Sequence, residues 1–155
     1  MLVALAVLTT TSATATASKR TGTVAQRQVV SLLNDVRDAR GLPPLALRRT
    51  LSIGARAHAR DMVQRNYFDH DTLNGPSWDS RVSRLVGPRH TFGENIGWGS
   101  FASGTPDAIV HAWMNSTGHR RNILDPAFRL IGVGIATGSF QGHGEARVYV
   151  TDFGG

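Results

Sequence analysis

The chain has 155 residues, 41% hydrophobic and 18% charged, a balance that fits one globular domain with a real core and excludes disorder throughout. It has no cysteine, which excludes a disulfide scaffold, thiolate zinc sites and thiol nucleophiles together. The formal net charge is +6, and 16 of the 17 basic residues are arginine, scattered from Arg20 to Arg147. Nucleic-acid binders cluster such residues on one element with aromatics between them, so no nucleic-acid partner is expected; the charge implies attraction to anionic polymers or surfaces.

Leu2 to Leu8 is an unbroken apolar run, and Ala15-Thr16-Ala17 offers an A-x-A cleavage pattern. Residues 1–17 are therefore expected to be a secretory signal peptide, although no Lys or Arg precedes the run, as in a leader shortened at its start. The run is too short to span a bilayer, so no transmembrane segment is expected. Ser18 to Val24 reads as a polar linker, and residues 25–155 as the folded domain, secreted and monomeric.

From Ala25 the period becomes helical, with Val29, Leu32, Leu33 and Val36 on one face; Gly41 and Pro43-Pro44 end it. Thr50 is a candidate N-cap for a second helix bearing Leu51, Ala55, His58, Ala59 and Met62. His58 lies on that apolar face and reads as a core histidine bonded to backbone. His70 follows, set between Asp69 and Asp71, whose charges are expected to raise its pKa. Pro76-Ser77-Trp78 starts a short helical piece through Leu85, with Ser77 as cap and Gly87-Pro88 as its end.

Glu94, one of two glutamates, lies between Gly93 and Asn95 in an apolar stretch, which predicts a buried acid on a short strand or turn. Thr105-Pro106-Asp107 is a helix start with cap, N1 proline and a dipole-facing acid. That helix is expected to run through Trp113 and stop at Ser116-Thr117-Gly118, leaving His119 in a turn just beyond. After Asp125-Pro126 the period changes to two, giving one strand around Leu130 to Ile135 and another over Val148 to Phe153. Thr137 to Glu145 reads as a Gly-rich connection, long for a tight turn. Helices first and strands last point to an α+β fold with an antiparallel sheet.

His70, Glu94 and His119 stand 24 and 25 residues apart on separate connections. If they meet, two imidazoles and a carboxylate form a reasonable divalent-metal site with room for water. There is no nucleophile elbow, phosphate loop or dinucleotide fingerprint, and no acid is marked to orient a Ser116–His119 pair. Asn115-Ser116-Thr117 fits a glycosylation sequon, with occupancy not expected.

Several motifs occur in a recognisable order: Leu33-Asn34-Asp35-Val36-Arg37 with Gly41-Leu42-Pro43-Pro44-Leu45; Ala55 and His58 to Met62; Phe68-Asp69-His70; and Gly93-Glu94-Asn95-Ile96. They continue with Trp113-Met114-Asn115-Ser116 before Gly118-His119-Arg120, then Ile131-Gly132-Val133-Gly134 and Val150-Thr151-Asp152-Phe153-Gly154. Over residues 27 to 154 the chain resembles the CAP superfamily of cysteine-rich secretory, antigen-five and pathogenesis-related proteins, in its short cysteine-free bacterial form. The resemblance implies a three-layer α-β-α sandwich with a central antiparallel sheet, and secretion. It implies a cleft at His70, Glu94, His119 and Ser116, the last standing where the family usually has a second glutamate. It further implies that His70, His119 and Glu94 can hold a divalent cation such as zinc, with Asn95, Asn34 and Arg37 in support. The missing acid removes a general base, so a non-enzymatic domain binding a lipid, other ligand or anionic envelope polymer is the first expectation. A metal-dependent hydrolase using Glu94 is the alternative.

Overall fold

The computed structural model describes residues 11–87 and 90–155, with side chains described from Val24 onward. Residues 1–10 of the expected leader, and Pro88, lie outside the described residues. The first helix, α1 (Thr11–Asp38), is helical through the stretch 18–24 read as a linker. Its face at Val29 and Leu33 is fully buried, and the chain leaves it through Gly41, whose φ of +66 suits a residue without Cβ.

β1 (Ala46–Leu47) leads into α2 (Arg49–Arg65), and α3 (Trp78–Val86) precedes β2 (Phe92–Ser100). A 3-10 turn, Phe101–Gly104, connects to α4 (Pro106–Met114) and α5 (Thr117–Leu124); β3 (Leu130–Phe140) and β4 (His143–Gly154) close the chain. The sheet order is β1-β3-β4-β2, antiparallel among the three long strands. Two-residue β1 pairs parallel to β3, so the sheet is mixed at that edge rather than wholly antiparallel.

Alternation along the strands divides the core into two layers. Ile131, Val133, Tyr149 and Phe153 face α1, α4 and α5, packing with Leu33, Ile109, Trp113 and Ile123. Ala136, Val148, Val150 and Ile96 face the other way, onto Ala55, Ala59 and Met62 of α2. The fold is thus α+β, with helices on both sides of the sheet. No described helix is long and apolar enough to cross a membrane.

Four local expectations change. α2 starts at Arg49 with Arg48 at its N-cap, so Thr50 is inside the first turn. Ser77 is the N-cap residue of α3 but makes no side-chain cap bond; Asp71 Oδ1 accepts from Trp78 N at 2.8 Å instead. The stretch 137–145 is not a long connection, because Gln141 (φ 50) and Gly142 (φ 80) make a two-residue turn of the twist that hairpins favour. Asn66 secures that turn, accepting from Gln141 N at 2.7 Å. Finally, α4 ends at Asn115, and Ser116-Thr117-Gly118 begins α5 rather than ending α4. Gly118 has no positive φ, so His119 sits in the first turn of a new helix.

Candidate functional site

β2 is an edge strand, packed by α3 on one face and by α4 and α5 on the other. Glu94 points to the α2–α3 side, whereas Gly93 and Asn95 point to the α5 side. Gly93 lets α5 approach: a Cβ there would lie 3.1 Å from the Phe128 ring and 3.4 Å from Asn122 Cγ. Asn122 Nδ2 donates to Glu94 O at 3.1 Å and to Asn95 Oδ1 at 2.9 Å, and Asn95 Nδ2 donates to His119 O at 3.1 Å. These three bonds stitch the first turns of α5 to the strand. They deliver His119 to the rim of a cleft of about 390 Å³, shared with His70, Glu94 and Ser116.

The structure therefore brings the four expected cleft residues to one place, and adds Trp78, Phe92, Arg121 and Asn122. Trp78 lies 6.2 Å from the His70 ring and 5.8 Å from that of Phe92, giving the cleft an aromatic wall. Ser116 is the N-cap residue of α5 and makes no side-chain cap bond. Its hydroxyl therefore remains available to the cleft.

Glu94 is the centre of the arrangement, with a side chain fully buried. His70 Nδ1 donates to its Oε1 at 2.8 Å, and Arg81 Nη2 donates to its Oε2 at 2.8 Å. Burial pushes this carboxyl up, but the His70 bond and the Arg81 charge outweigh it and hold the group below its ordinary range. The bond through Nδ1 also sets the His70 tautomer and leaves Nε2 as its free nitrogen. Asp69 and Asp71 do not pair with His70. Their carboxylates accept from Asp71 N and Trp78 N, the local turns that short acids favour.

Behind Glu94 lies Asp152, its register partner on β4. Arg81 Nη1 stands 4.0 Å from Asp152 Oδ1, so one guanidinium faces two carboxyls. Among the described residues, neither Asp152 oxygen has a hydrogen-bond partner. Burial and the Glu94 charge push this carboxyl well up while Glu94 is held down, so of the two carboxyls Glu94 gives up its proton first. Arg81 and Asp152 carried no site signal in the sequence: one is an arginine among 16, the other a strand residue in a motif.

The remaining residues are structural by their contacts. His58 is buried on α2, and its Nε2 donates to Asp69 O at 3.0 Å; burial and Arg81 lower its pKa. Asn34 bonds Leu45 both ways, at 3.1 and 2.8 Å. Arg37, fully buried, donates to the carbonyls of Pro43, Ile123, Asp125 and Phe128, tying α1 to the end of α5. Burial and the neighbouring His70 lower the pKa of His119, so its imidazole takes up a proton less readily than a free one. Among the described residues, no group of three His, Cys, Asp or Glu side chains is arranged to hold a metal ion.

Residues 30–153 match the family model for CAP, the cysteine-rich secretory protein family. The uncharacterized protein YkwD of Bacillus subtilis (strain 168) is 44% identical over 133 residues, covering 84% of this chain and 48% of that protein. An extracellular protein with an SCP domain from Bacillus anthracis has a TM-score of 0.72 and 30% identity, over 87% of this chain and 41% of its own. An outer surface protein of Borrelia burgdorferi has a TM-score of 0.69 at 19% identity, over 83% of this chain and 90% of its own, a likeness of fold alone. The chain thus spans about half of YkwD and less of the Bacillus anthracis protein.

Proposed function

Because the chain belongs to the cysteine-rich secretory protein (CAP) family, we propose that it acts outside the cell as a non-enzymatic binding domain whose cleft receives an envelope ligand between His70 and His119. The observation that carries this reading is the commitment of Glu94. Both of its oxygens are bonded inside the protein, one to His70 and one to a guanidinium, so it is a brace rather than a free base. Ser116 supplies a hydroxyl where a second acid is expected, and no group orients it as a nucleophile. The aromatic wall of Trp78 and Phe92, with Asn122, Ser116 and the two imidazoles at the rim, suits a ligand rich in hydroxyl or amide groups.

The test uses cell-wall sacculi freed of their anionic polymers. The native chain is expected to co-sediment with them, and His70→Ala/His119→Ala to remain in the supernatant with its fold intact by circular dichroism. Equal sedimentation of both places the ligand elsewhere. Soluble fragments released by the native chain, and lost in Glu94→Gln, establish an enzyme and overturn the reading.

A divalent ion is the second reading, favoured by two imidazoles lining one cleft, with His119 disinclined to take up a proton. The donor set fits it only in part. Two ring nitrogens remain, but Glu94 holds a guanidinium at 2.8 Å and is not free to be the third ligand. Calorimetry with zinc separates the readings: a submicromolar site that disappears in His70→Ala/His119→Ala favours the metal, and no heat from the native chain removes it.

A further inference from the structure

A second, larger concavity of about 600 Å³ lies at the opposite edge of the sheet from the cleft, and nothing in the cleft's chemistry accounts for it. β1 covers only Leu130 and Ile131, so β3 is open beyond them. At Val133 that open edge is closed by side chains: Gln26 Nε2 donates to Val133 O at 2.9 Å, and Val133 N donates to Ser52 Oγ at 3.2 Å. Gln26 and Ser52 form the floor of the groove.

One wall is a stripe of α2. Arg49, Ile53, Arg56 and Arg60 recur at spacings of four, three and four, which puts them on one helical face. The backbone positions of the three arginines are spread along the axis with gaps of about 10 Å and about 6 Å. None of them makes an ion pair among the described residues. The first turn of α2 has no acidic residue, so the positive end of the helix dipole adds to the same field. Between the charges lie exposed aliphatics, Ile53 (60% exposed) and Leu47 (44%). Among the described residues no aromatic side chain lines the groove, which disfavours nucleic acid, since single strands bind by stacking bases on such rings.

We propose that the groove of Arg49, Arg56 and Arg60 binds a linear polyanion in which phosphodiesters alternate with short polyol units. Arginine matches phosphate geometry with two parallel N–H bonds, and three in a row match a chain better than a single anion. The aliphatic surface between them accommodates the carbon units that separate the phosphates. This site is separate from the cleft and does not depend on the ligand assigned there.

The test is calorimetry with a glycerol-phosphate hexamer, with glycerol 3-phosphate and a thymidine hexanucleotide as comparators. The native chain is expected to bind the hexamer at least tenfold more tightly than either comparator. Three phosphate contacts lose roughly 20- to 40-fold in affinity between about 50 and about 200 mM salt. Arg56→Gln/Arg60→Gln is expected to weaken binding at least tenfold. Arg84→Gln/Arg120→Gln removes the same two charges elsewhere and is expected to change it less than twofold. Equal losses in the two double variants show that binding follows net charge and overturn the site. Equal affinity for the monomer or the nucleotide overturns the assigned polymer, and no binding at low salt overturns the proposal outright. His70→Ala/His119→Ala is expected to bind the hexamer as the native chain does, so failure at the cleft and failure at the groove are read separately.

Discussion

Arg81 is the residue on which the cleft depends most, and it touches no ligand position in the readings above. Its side chain is 13% exposed and bridges two fully buried carboxyls, Glu94 and Asp152, while also donating to His70 O at 2.8 Å. Removing it leaves the ionised Glu94 with His70 as its only partner in a low-dielectric setting. Arg81→Met is therefore expected to lower stability by about 3–5 kcal/mol, the cost of breaking a buried pair from one side. Glu94→Gln keeps the shape and loses the charge, so about 1–3 kcal/mol is expected. Urea denaturation of both variants checks the order; a Glu94→Gln cost above that of Arg81→Met overturns the role given to the arginine. His70, Glu94 and His119 stand out in the sequence beside glycine or between acids, but their spacing cannot show that they meet, and the resemblance to the family is what groups them. Arg81 and Asp152 do not stand out, since their pairing depends on β2–β4 register and on how α3 lies across β2.

At the scale of elements, the packing of α2 on the sheet rests on two missing side chains. A Cβ on Gly132 would lie 2.3 Å from Leu51 C, and one on Gly134 would lie 2.1 Å from Ala55 C. Both obstacles are helix backbone, which cannot rotate aside. Gly134→Ala is expected to cost at least the ~1–3 kcal/mol of an overpacked core, because α2 as a whole must lift. Gly118 is the contrast: nothing lies within 4 Å of its built Cβ, and it sits in the first turn of α5 without positive φ. Gly118→Ala is expected to raise stability by about 0.4–1 kcal/mol through lower unfolded-state entropy. Thermal melts of the two variants should move in opposite directions, and a shared direction contradicts the close-approach argument.

The same glycines explain what could be read of the elements beforehand. The alternation of Ile131, Val133 and Ile135 with Gly132 and Gly134 marked a strand correctly. It could not say that the glycine face was the one lying under a helix. The α4–α5 break was misplaced because Ser-Thr-Gly serves equally to end one helix and to start the next; the bonds from Asn95 and Asn122 to α5 and β2 decide it. The hairpin was missed because Gln141 adopts φ 50 without being Gly or Asn.

For the whole molecule, the buried groups set opposite slopes of stability against pH. Glu94 has a depressed carboxyl pKa, so its contribution is present above its ordinary value of 4.5 and is lost as pH falls through the folded value. His119 acts in the same direction from higher up. Its imidazole binds protons less readily folded than unfolded, so stability is lost as pH falls below the ordinary 6.5. Asp152 acts the other way. Its raised carboxyl contributes fully below the ordinary 3.8, and that contribution is lost as pH rises through the folded value.

The native chain should therefore lose melting temperature on both sides of a maximum, with imidazole protonation and the +6 charge steepening the acid side. Asp152→Asn separates the arms because an amide cannot ionise. Relative to the native chain, the variant is expected to gain melting temperature as pH rises above the ordinary carboxyl value of 3.8, while keeping the native acid slope. A difference that does not change as pH rises means that burial and the Glu94 charge do not raise the Asp152 carboxyl, and the division of roles between the two acids fails with it.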